Sequence, residues 1–144
     1  MRSSVPSLKS ALTGRLQSDA GLAGVQVSYG NPYPNMEERE AVFIGHARAK
    51  PWELVASMTQ ANEDYTLAIL VSVVAPSIET AETLEARAYE LAAVVTASII
   101  DWRNTGYDGH AAVIVPGESE DDESLDKSLR EASVTLSFDV KARV

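Results

Sequence analysis

The hydrophobic period of this chain changes in a fixed order, and that order restricts the fold. A helix-period stretch runs from Val5 to about Leu22, and strand-period runs follow to about Ala75. One long helix-period stretch then spans about Thr80 to Trp102. Two further strand runs follow it, the last alternating from Ser133 to Val144. A period of 3.6 and a period of 2 demand different backbones. The chain therefore reads as a single α+β domain over residues 1–144. Its sheet is expected to be mostly antiparallel or mixed, to contain a long hairpin, and to pack against the long helix and the N-terminal one.

At 144 residues the chain has the size of one ordinary domain and can bury a real core. It contains no cysteine, which excludes disulfides and thiolate metal sites. No apolar run approaches the roughly 20 residues needed to span a bilayer. The segment Arg2-Ser3-Ser4-Val5-Pro6-Ser7 lacks the apolar stretch of a signal peptide. Net charge is −9 and unevenly placed. Residues 1–36 hold Arg2, Lys9, Arg15 and Asp19, net +2, whereas residues 37–144 hold 20 acids and 9 bases, net −11. Such a surface repels phosphates and is not that of a protein that grips nucleic acid over its whole area.

Val5, Leu8, Leu12 and Leu16 lie on one helical face, with Ser4 or Ser7 as cap, Pro6 in the first turn, and Gly21 and Gly24 as stops. Val25, Val27 and Tyr29 alternate as a strand, and residues 30–35, with two prolines, form a loop. Ala41–Gly45 is a short apolar strand. Trp52, Leu54, Ala56 and Met58 form one arm of a predicted hairpin over residues 48–75. Tyr65, Leu67, Ile69, Val71 and Val73 form the other, and residues 60–64 are its loop. In the long helix Leu84, Ala88, Leu91, Val95, Ile99 and Trp102 face inward. Ala86, Ala93 and Ala97 permit close packing on a sheet or on a neighbouring subunit. Ala111–Val115 is a short strand. Residues 117–126 hold six acids and read as a solvated loop, with contact to a basic partner or a DNA-repelling lining as the alternatives.

No reaction centre stands out. His46 and His110 lack the H-x-x-x-H or H-E-x-x-H spacing of a metal site and read as surface or loop histidines, in loops or at strand ends. No G-x-S-x-G elbow and no glycine-rich phosphate loop occurs, so neither catalytic residues nor a cofactor is expected. Tyr29, Tyr33, Trp52 and Tyr65 do not interleave with bases as a nucleic-acid platform would. The long hairpin is the feature that packing within one subunit explains least. Its edge, added to a neighbour's sheet and repeated head to tail, closes a ring. Trp52, Tyr33, Tyr65, Glu118, Glu120, Asp121, Asp122 and Glu123 are the candidate subunit or partner contacts.

The segments "GVQVSYGNPYP", "AVFIG", "PWELVASM", "EDYTLAILVSVVAP" and "ETLEARAYELAAVVTASI", followed by the alternating final strand, resemble those of a known family. They carry the patterns V-x-Y-G-x-P, F-I-G and Y-x-L-x-x-x-V, and Arg87 followed by Leu91. From about residue 8 to 144 the chain resembles tail terminator (minor tail, tail-completion) proteins of long-tailed, siphovirus-type bacteriophages, especially those of actinobacterial hosts. The resemblance implies a structural protein rather than an enzyme. It implies a hexameric ring that caps the tail tube, ends tube polymerisation and joins the tail to the head. The implied partners are further copies of the chain, the major tail tube protein and the head–tail connector or stopper. Genome DNA would pass through the lumen without sequence-specific binding. The implied location is the virion's head–tail junction, after assembly in the host cytoplasm. A head-completion or neck adaptor shares this size and architecture. A small ligand-binding or enzymatic α+β domain is the reading from another class.

Overall fold

Leu84, Ala88, Leu91, Val95, Ile99 and Trp102 recur at helical spacing, and all six are buried. They form the inner stripe of the long helix α2 (Ala81–Asn104), which Thr80 caps by accepting a hydrogen bond from the Thr83 N–H. The computed structural model describes residues 3–32, 38–49, 53–54, 61–76, 80–126 and 129–143. Within them lie α1 (Val5–Gln17), β1 (Gln26–Tyr29), β2 (Glu40–Ala49), β3 (Glu53–Leu54), β4 (Ala61–Pro76), α2, β5 (Ala112–Asp126) and β6 (Leu129–Arg143).

The strands form one mixed sheet in the order β1-β2-β4-β6-β5, with β3 paired to the start of β4. β1 runs parallel to β2; every other pairing is antiparallel. Both helices cover one face, where Tyr65, Leu67, Ile69, Val71 and Val73 of β4 meet Val134, Leu136, Phe138 and Val140 of β6 in a single core. Arg15 of α1 pairs with Asp101 of α2. Ala86, Ala93 and Ala97 are exposed, so they do not pack on the sheet. The alternation of β6 is as expected, and the strand begins four residues earlier, at Leu129.

Three expectations need correction. Residues 61–64 are not a hairpin loop. They open β4, and Asn62, Glu63 and Asp64 pair with Arg143, Ala142 and Lys141. Their polar side chains suggest a turn, but the backbone is held in register by β6. β4 therefore has β2 on one side and β6 on the other, with β3 paired to its start. Of the other predicted arm only Glu53 and Leu54 are described; Trp52 and residues 55–58 lie outside the described residues. Likewise residues 117–126 are not a loop. They continue β5, antiparallel to β6, past an irregularity between Pro116 and Ser119. An edge strand needs no burial, so its acids stay wet while its backbone pairs. The first helix also ends early, at Gln17, because Asp19 caps a separate 3₁₀ turn (Ala20–Leu22) by accepting from the Gly21 N–H.

One buried charge fixes α1 to the sheet. Glu63 is 1% exposed. Its Oε1 accepts from the Ser4 N–H (2.9 Å) and the Ser4 hydroxyl (2.6 Å), and its Oε2 accepts from the Ser3 hydroxyl (2.7 Å). The Ser4 side chain makes no local cap, so the carboxylate of a distant strand sits at the positive end of the helix instead. Burial pushes the neighbouring Tyr65 phenol above its ordinary value; its hydrogen bond to Ser4 opposes the shift and the Glu63 charge adds to it. After α2, Gly106, Tyr107, Asp108 and Gly109 are four successive residues at positive φ (68°, 53°, 53° and 88°). This left-handed turn costs about 1–2 kcal/mol at each non-glycine position. The Trp102 indole N–H holds it by donating to Asp108 Oδ2 at 2.8 Å. The Tyr107 ring meets Trp102 edge-on at 5.4 Å.

Replacing Glu63 by alanine removes the acceptor of three hydrogen bonds and is expected to cost about 2–3 kcal/mol in urea unfolding. Glu63→Gln, which keeps an oxygen for Ser4, is expected to lose roughly half of that.

Candidate functional site

β5 is an edge strand whose outer half is almost wholly acidic. Asp121 stands opposite Val134 and Glu123 opposite Ala132. Val134 and Ala132 are buried under the helices, so Asp121 and Glu123 share the helix-facing side. Glu120 and Asp122, opposite Thr135 and Ser133, face the other way. Glu118 follows Gly117, where an added Cβ would lie 3.1 Å from the Ser137 carbonyl oxygen, so the irregularity leaves little room for a side chain. Glu118, Glu120, Asp121, Asp122 and Glu123 are all exposed.

The structure brings a sixth acid to these five. Glu85 of α2 lines a cleft of about 330 Å³ with Ala81, Asp121, Asp122, Glu123 and Ala132. A hydrogen bond shared with Asp121 pushes the Glu85 carboxyl above its ordinary value, helped by repulsion from Asp121, by burial and by Glu123. Tyr89, one turn along, is also pushed up, by desolvation and then by Asp121. Arg130 of β6 brings a counter-charge, its Nη1 2.5 Å from Glu123 Oε1. Two ionised carboxylates set side by side repel one another. Nothing in the sequence links position 85 to position 121; Glu85 reads as an acid near a helix start, and only the fold sets it against β5.

The other candidate contacts separate. Tyr65 is 3% exposed, so it belongs to the core and presents no surface to a partner. Tyr33 and Trp52 lie outside the described residues. Tyr29 is exposed on β1, with the Lys9 ammonium 5.7 Å above its ring. His46 is exposed, and His110 packs edge-on to Trp102 at 6.1 Å. Among the described residues no three histidine or acidic side chains are placed to hold a metal ion, and no helix is long and apolar enough to cross a membrane.

Arg87 of α2 forks onto Glu40 at the start of β2, Nε to Oε2 at 2.5 Å and Nη2 to Oε1 at 3.0 Å. Bidentate pairing of this kind is the strongest carboxylate contact that arginine makes. The Glu40 carboxylate holds the Arg87 guanidinium above its ordinary range. Compared with known proteins, the chain matches no protein family, and no curated protein matches it significantly in sequence.

The Glu85–Asp121 contact makes stability depend on pH. A carboxyl whose folded value is raised binds more protons folded than unfolded. The contact therefore opposes folding at pH 7, and the opposition fades as pH falls through the raised value towards the ordinary 4.5. Glu85→Gln is expected to melt above the parent chain at pH 7, with the gap closing towards pH ~4.5. Melting curves of the two proteins across that range check it; a gap that does not narrow contradicts the assignment.

Proposed function

We propose that this chain is a structural tail protein of a siphovirus-type bacteriophage, a tail terminator. Copies of it form a ring that caps the tail tube, ends its polymerisation and joins it to the head connector. The observation that carries this reading is the placement of the resembling motifs. V-x-Y-G-x-P leaves β1, F-I-G lies on β2, Y-x-L-x-x-x-V lies on β4, and Arg87 clamps α2 to the start of β2. The four motifs thus occupy adjoining elements of one sheet-and-helix unit, and Arg87 ties α2 to β2 through Glu40, just before F-I-G.

The charge distribution supports the same reading. A ring around passing DNA works best if its wall does not hold phosphates. The exposed acids of β5 and the net −9 of the chain suit such a wall. The exposed face of α2, with Ala86, Tyr89, Ala93, Ala97 and Ile100, is free to meet a neighbouring copy. In this reading the work is done by surfaces and symmetry, and no side chain acts as a catalyst.

Light scattering of the purified protein, with negative-stain imaging alone and with the phage's tail tubes, tests the proposal. Rings of about six copies, or density capping one end of each tube, are expected. A stable monomer that never decorates tubes would leave a neck adaptor or a small-molecule domain as the better account.

A further inference from the structure

The two ends of the β5–β6 pair differ in chemistry. At one end Leu125 and Leu129 are more than half exposed, at 59% and 52%. Leu125 stands opposite Arg130 and Leu129 opposite Asp126, so the two leucines project from opposite faces of the hairpin end. Asp121, Asp122, Glu123 and Glu131 lie behind them, and the base among them, Arg130, is already paired with Glu123. The other end lies roughly 43 Å further along the strands. There two adjoining clefts of about 450 and 680 Å³ share Ala111, Ala112, Ala142 and Arg143. Val113, 49% exposed, stands opposite Lys141 on the rim of the first. Lys141 and Arg143 are exposed and enter no ion pair among the described residues. Asp64, opposite Lys141, is the carboxylate that lines this rim.

A partner cannot meet this second end by main-chain pairing. The Ala112 N–H bonds the His110 carbonyl at 2.8 Å, and Pro116 has no N–H. Between them the Ile114 N–H donates to the Tyr107 hydroxyl at 3.0 Å, which donates to the Ile114 carbonyl at 3.3 Å. Side chains must make the contact. We propose that the acidic, leucine-bearing end of the β5–β6 hairpin of one copy docks in the base-rimmed clefts at the far end of the hairpin of a second copy. The two surfaces are complementary in both respects that matter. Unpaired bases on the rim meet carboxylates that crowd one another, and apolar cleft walls of alanine and Val113 meet exposed leucines. A hairpin end that is apolar on both faces suits a cleft better than a flat surface. Because the two surfaces lie at opposite ends of one rigid strand pair, a chain cannot satisfy itself and needs a second copy. The contact joins unlike surfaces, so repetition closes a ring when the rotation permits. It rests on the self-assembly of the tail-terminator reading, not on attachment to a tube, and it names the surfaces through which the copies meet.

Charge reversal tests the contact from both sides. Lys141→Glu with Arg143→Glu reverses the cleft rim, and Asp122→Lys with Glu131→Lys reverses the hairpin end. In sedimentation at low salt each double variant is expected to associate about a hundredfold more weakly than the parent, because like charges then face one another. An equimolar mixture of the two is expected to recover the parent's association, since each supplies the charge that the other has lost. Leu125→Ser with Leu129→Ser removes the apolar part of the contact without changing charge. It is expected to weaken association as well, and it stands in for either reversal should that protein not fold. Variants that associate as the parent does, or a mixture that recovers nothing, overturn the docking and leave a ring to be built through other surfaces. A parent chain that stays monomeric at every concentration overturns both the docking and the ring.

Discussion

The pairing of β4 with β6 governs the rest of this structure. It runs without a break from Asn62 against Arg143 to Pro76 against Leu129. On the helix side it sets Tyr65, Leu67, Ile69, Val71 and Val73 beside the alternating apolar residues of β6, and that surface is the floor on which both helices lie. On the other side of β4, β2 is held in antiparallel register, and β1 is held by β2 in turn. Among the described residues β5 pairs with β6 alone. A slip of one residue between β4 and β6 would turn every inward side chain to the wrong face. Glu63 ties the start of β4 to the start of α1 through Ser3 and Ser4.

Elements with strong periodicity were legible in the sequence. The inner stripe of α2 and the alternation of β6 each repeat often enough to define a face, and both occur as read. The same holds for Leu8, Leu12 and Leu16 of α1. Residues 61–64 and 117–126 were not legible, for one shared reason. Both are polar stretches whose backbone is held by a strand distant in the chain, and composition reports side-chain solvation rather than main-chain pairing. The acidic residues were correctly singled out as exposed, but as members of a loop rather than of an edge strand. Their contact with Glu85, the helix cap supplied by Glu63 and the hydroxyl of Tyr107 on Ile114 are long-range or conformational facts. A local pattern does not encode them.

The two ends of the sheet are managed by different means. β1 is short and has a side-chain amide on its outward carbonyl. β5 is long; its apolar half carries the tyrosine and its distal half carries like charges, which discourage a second acidic strand from lying alongside. The acids on the helix-facing side of that distal half are also the ones that meet Glu85, so the same charges that protect the edge weaken its hold on α2. A surface built this way favours contacts through faces and helices over contacts through backbone edges.

The separation in sequence of β4 and β6 has a consequence during synthesis. Roughly fifty residues, including all of α2, lie between Pro76 and Leu129. At about 5–20 residues per second, a ribosome needs on the order of 3–10 s to make them. For that interval β4, the most apolar strand of the sheet, has emerged without its principal neighbour. α2 is the one large apolar element completed in the meantime, and its inner stripe can shelter the face of β4 but not its open hydrogen-bonding side. The nascent chain is thus most vulnerable to wrong pairing midway through translation, when it most resembles a client for a chaperone.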